Sequence, residues 1–90
     1  MQLTYKEVCE GLKALGFEPR PQKATSHEQW VKVSNGRLYK VTVDEPKSPF
    51  SDFLIGSMAG QAGVKKKHFI AACIDKAEQK KLRKVFRSAE

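Results

Sequence analysis

Ninety residues with 40% apolar and 30% charged side chains make one globular domain and leave no room for a second, which excludes a multi-domain enzyme or a dinucleotide-binding fold. Seventeen Lys and Arg against ten Asp and Glu give a net charge of +7. That surplus favours a polyanionic partner, either nucleic acid or an acidic protein, as readily as it describes a solvated surface. No apolar run reaches the roughly 18 residues of a membrane span, and the N-terminus lacks the basic-then-apolar layout of a secretory signal. Cys9 and Cys73 are too few and too distant for a disulfide scaffold or a zinc site. The expectation is a cytoplasmic protein with no membrane partner, no metal and no cofactor.

Thr4 followed by Glu7 spells a capping box, with Leu3 and Val8 placed as its hydrophobic staple. Val8, Leu12 and Leu15 then recur at helical spacing and Gly16 supplies a left-handed exit, predicting a helix over residues 5–15. Phe17 to Lys23 contains Pro19 and Pro21 and reads as an edge strand or bulged extended segment. Two β-rich runs, His27–Val33 and Arg37–Val43, flank Asn35-Gly36, the strongest short-range hairpin signal. A two-residue turn there sets Trp30 opposite Val41 and His27 opposite Asp44 at the open end.

After a loop with two prolines, Ser51 reads as a second N-cap with Phe50 and Ile55 as its staple. Leu54, Ile55, Met58 and Ala62 line one side of the helix that follows, and Gly63 ends it. A third helix from about Lys65 is expected to bury Phe69, Ile70, Cys73 and Ile74. Asp75 to Glu78 either continues that helix or caps a short final one carrying Leu82, Val85 and Phe86. The order helix, three strands, helices predicts an α+β fold with the helices on one face of a small antiparallel sheet. Charge is uneven along it: residues 65–90 hold nine basic and three acidic side chains, and residues 20–40 hold five basic side chains against Glu28 alone.

These residues in this order resemble the HicA family of toxin ribonucleases from bacterial toxin–antitoxin systems. The resemblance rests on the capped first helix ending in Leu15-Gly16-Phe17, on Lys23-Ala24-Thr25-Ser26-His27, and on the Gly36-Arg37 turn. It continues through Val41-Thr42-Val43, Gln61-Ala62-Gly63-Val64 and His68-Phe69, and so covers residues 3 to about 74. It implies a small fold like a double-stranded-RNA-binding domain, metal-independent cleavage of messenger RNA, and neutralisation by a HicB-type antitoxin. The family usually has Gly-Ser-His before its second strand; Thr25 stands at that glycine here and lacks its conformational freedom. The division is residues 1–75 as the HicA-like domain and residues 76–90 as a basic helical extension of it, about which the resemblance says nothing.

RNA carries its own nucleophile in the ribose 2′-hydroxyl, so a protein that cleaves it needs a base for that proton and positive charge for the phosphorane. Histidine, with an unperturbed pKa of about 6.5, suits the first task, and Lys, Arg or backbone amides suit the second. His27 is therefore the candidate catalytic base (or base then acid), with Lys23, Ser26, Lys32, Arg37 and Lys40 as candidate RNA contacts. A surface histidine that merely ends a strand is the plainer reading, and the family context favours catalysis. His68 beside Lys65-Lys66-Lys67 reads as a solvated residue, and Cys9 and Cys73 as small core residues. Ser26 carries no serine-hydrolase elbow. Trp30 reads as core before it reads as a stacking platform for a base. Two other functions stay open: an RNA-binding or adaptor module that keeps the fold without the chemistry, and a DNA-binding or protein-interaction domain using the basic tail. That tail could also pair with a copy of itself in a homodimer.

Overall fold

The computed structural model describes residues 1–20 and 27–88. Helix α1 (Tyr5–Ala14) starts on the expected box: Glu7 N–H donates to Thr4 Oγ1 at 3.2 Å and Thr4 N–H donates to Glu7 Oε1 at 2.8 Å. Gly16 leaves it at φ +92. Strand β1 is only Glu18–Pro19, pairing with Val31 and Trp30, and Arg20 N–H adds one bond to Gln29 O at 2.8 Å. Within the extended segment expected from Phe17, Pro19 brings no N–H to the ladder and Phe17 is drawn into the core. Residues 21–23 of that expected segment lie outside the described residues.

Strands β2 (His27–Ser34) and β3 (Arg37–Asp44) form the hairpin in the predicted register, from Ser34 opposite Arg37 to His27 opposite Asp44. Asn35 at φ +52 and Gly36 at φ +76 make the two-residue turn. The sheet order is β1-β2-β3, all antiparallel. Period-2 alternation turns Trp30, Val41 and Val43 into the core beneath the helices. Trp30 is 2% exposed, so it packs the core and offers no face for stacking a base.

A 3-10 turn at Glu45–Lys47 leads to Phe50, whose backbone bridges to Leu3. Ser48 Oγ accepts from Tyr5 N–H at 2.8 Å. These contacts tie the start of α1 to the start of α2 (Asp52–Ala62), where Ser51 Oγ accepts from Leu54 N–H. Ile55, Met58, Ala59 and Ala62 are buried, and Gly63 ends the helix at φ +76 against the Tyr39 ring. Helix α3 (Lys66–Ile74) buries Phe69, Ala72 and Cys73. Ile70 is only half-buried and Ile74 is exposed, contrary to expectation, because α1 covers the Phe69–Cys73 side of α3. Lys66 pairs with Asp52, which holds that carboxyl below the usual carboxylate range.

Asp75 is extended and does not continue α3. Its Oδ1 accepts from Ala77 and Glu78 N–H at 3.0 and 3.2 Å, so it caps α4 (Lys76–Ser88). Gln79 is buried and its Nε2 donates to Cys73 O at 2.9 Å, while Leu82 packs at the edge of the core. Val85, expected on the apolar stripe, is exposed. Among the described residues the result is a small α+β domain of one three-stranded antiparallel sheet and four helices. No helix among the described residues is long and apolar enough to cross a membrane.

One polar cluster closes the core beside the hairpin's open end. Glu28 accepts from Tyr5 O–H on one carboxylate oxygen and from Trp30 Nε1–H, at 2.8 Å, on the other. Burial and the neighbouring Glu28 carboxylate raise the Tyr5 phenol well above its ordinary value, so it stays protonated as the donor. Glu28→Ala strands the indole N–H in the core and is expected to cost about 2 kcal/mol. A fall of roughly 10 °C in Tm, read by thermal denaturation, corresponds to that loss. An unchanged Tm would show that the carboxylate contributes nothing net.

Candidate active site at the open end of the hairpin

His27 begins β2 and faces Asp44, the last residue of β3. Its side chain is 58% exposed, and Nδ1 lies 3.7 Å from Asp44 Oδ2. An Nδ1–H turned to that carboxylate leaves Nε2 as the basic nitrogen. The pair stands at the rim of a groove of about 230 Å³ between β3 and α2. Phe50 and Met58 floor the groove, and Thr42, Lys47, Ser57 and Gln61 supply its polar wall. Gln61 Oε1 accepts from the Thr42 N–H at 3.1 Å and ties α2 to β3 beside the groove.

The sheet sorts the sequence candidates by parity. Lys40 pairs with Val31 and shares the face of His27, four residues along β2 and so about 13 Å distant. Lys32 and Arg37, expected beside His27, are on the other face. Lys32 is an odd number of residues from His27, and its Nζ donates to Leu15 O at 3.1 Å while lying over Phe17 and Tyr39. Burial pushes its pKa down. Arg37 is at the turn end of the hairpin with its guanidinium 5.1 Å from the centre of the Tyr39 ring. Lys23 and Ser26 lie outside the described residues. His68 is exposed at the start of α3, as read from the sequence.

Lys47, Asp44, Ser57 and Gln61 were not among the sequence candidates. The hairpin register marked Asp44, since it fell opposite His27, and Gln61 opens the Gln61-Ala62-Gly63-Val64 motif, but nothing local marked Lys47 or Ser57. Burial raises both thiols, that of Cys73 to about 12, so neither is a nucleophile near neutral pH. Among the described residues no group of three or more His, Cys, Asp or Glu is arranged to hold a metal ion. No family model matches the chain, and no curated protein or solved structure is significantly similar to it.

Proposed function

We propose that the chain is a cytoplasmic, HicA-like endoribonuclease toxin that cleaves messenger RNA without a metal and is held inactive by a HicB-type antitoxin. The fold is then read as a variant of the double-stranded-RNA-binding domain. The observation that carries the proposal is the exposed His27 imidazole beside Asp44 at the rim of a groove that also holds Lys47. In the reaction, His27 Nε2 takes the proton of the ribose 2′-hydroxyl. The 2′-oxygen forms a bond to phosphorus as the bond from phosphorus to the 5′-oxygen breaks. The leaving 5′-oxygen takes the proton from the imidazolium, and Lys47 supplies positive charge to the phosphorane. The products are a 2′,3′-cyclic phosphate and a free 5′-hydroxyl.

The test is RNA cleavage in the presence of EDTA, with the termini of the fragments identified. Cyclic-phosphate and 5′-hydroxyl ends are expected; fragments ending in 5′-phosphate, or intact RNA, overturn the mechanism. One observation favours a second reading, RNA binding without cleavage: Lys32 and Arg37 are turned away from His27, which thins the positive charge around it. Saturable binding of RNA that is never cut would support that reading.

A further inference from the structure

The groove leaves the largest concentration of charge on the chain unused. α4 holds six bases, Lys76, Lys80, Lys81, Arg83, Lys84 and Arg87, against Glu78. Gln79 and Leu82 turn one side of the helix to α1 and α3. Arg83 is paired with Glu10 at 2.6 Å. Lys76, Lys80, Lys81 and Lys84 are exposed on the remaining side. Lys76 and Lys80 are four residues apart, with a step of about 6 Å along the helix axis, and with Lys81 next in the chain these three exposed lysines form a ridge. Like charges at that spacing disfavour a helix, so local stability does not account for the ridge.

We propose that this ridge is a second phosphate-binding surface, which holds the RNA strand away from the groove where it is cut. The inference rests on RNA being the substrate. Charge chooses the occupant: nucleic-acid interfaces are strongly positive, whereas lysine is depleted from the centres of protein–protein interfaces. The main packing partners of α4 are α1 and α3, not the hairpin that bears His27. The ridge therefore acts on affinity and not on the chemical step.

The experiment uses the full chain carrying Lys76→Gln, Lys80→Gln and Lys81→Gln together. Binding is measured in the His27→Ala background, where no cleavage is needed, using a labelled single-stranded RNA over a range of salt. The slope of log K against log salt should fall in magnitude by about 0.7 per lysine lost, or roughly two in all. A triple Lys→Arg variant should keep the slope. In the catalytically intact background the Gln variant should raise KM and leave kcat unchanged. A slope and affinity equal to those of the unsubstituted ridge overturn the inference even where RNA is cleaved. So does a ridge that binds poly-glutamate in preference to RNA. A reduced slope in a protein that cuts no RNA upholds the ridge and overturns only the nuclease reading.

Discussion

His27→Ala is expected to lower RNA cleavage by about 10²–10⁴-fold, the usual range for removing a positioned general base. The far-ultraviolet circular dichroism spectrum and the Tm should stay within experimental error of the parent. The ring is largely exposed at the start of β2, outside the buried cluster, so its loss opens no cavity. That combination separates chemistry from folding, since a variant that loses activity together with its spectrum says nothing about catalysis. Asp44→Asn gives a second reading of the same site. It keeps the imidazole and removes the carboxylate 3.7 Å from Nδ1, so the rate should fall by less than in the alanine variant. Full cleavage by His27→Ala would remove the base from the mechanism and leave the groove without an assigned reaction.

Gly11→Ala is expected to destabilise the fold by about 2–3 kcal/mol, and so to lower Tm by roughly 10–20 °C. Helix propensity alone predicts the opposite sign, because alanine in a helix interior is favoured over glycine by about 1 kcal/mol. Packing decides the sign here. An alanine Cβ at position 11 would lie 2.4 Å from Cys73 Sγ and 2.9 Å from Cys73 Cα. The second distance involves backbone, so α3 itself must move. Cys73→Ala placed on top should therefore rescue only part of the loss. Gly60→Ala is the internal contrast, since a Cβ there meets nothing within 4 Å and α2 should gain stability by up to about 1 kcal/mol. A Gly11→Ala protein that melts higher than the parent would mean that α1 and α3 do not cross at this point.

The elements that were legible are those whose determinants lie close together in the chain. The box at Thr4 and Glu7, the Asn35-Gly36 turn with the full β2–β3 register, and the Ser51 cap each need only a few neighbouring side chains and backbone amides. The opposite faces of His27 and Lys32 were also within reach, since alternation along a strand separates residues five apart. Strand alternation, not local charge, carries that signal. Glu28, the single acid in a basic stretch, was a visible anomaly, but its partner Tyr5 is on α1 and 23 residues away, so its role could not be read locally. The same holds for α3: the apolar residues Ile70 and Ile74 fit a helical stripe, yet which side of α3 is covered depends on where α1 crosses it.

By itself the chain determined the starts of α1 and α2, the turn, the register, the two basic stretches and the identity of the one histidine at the hairpin's mouth. Hydrogen bonds and dihedral preferences acting over a few residues are enough to set all of these. Tertiary structure alone decided that Lys47, Ser57 and Gln61 join His27 and Asp44 around one groove, and that Lys32 leaves it for the carbonyl of Leu15. It also set Gly11 against Cys73. Those outcomes follow from close packing of helices onto one face of a twisted sheet. In such packing the neighbours of a side chain are chosen by the shape of the whole core and not by its position in the sequence.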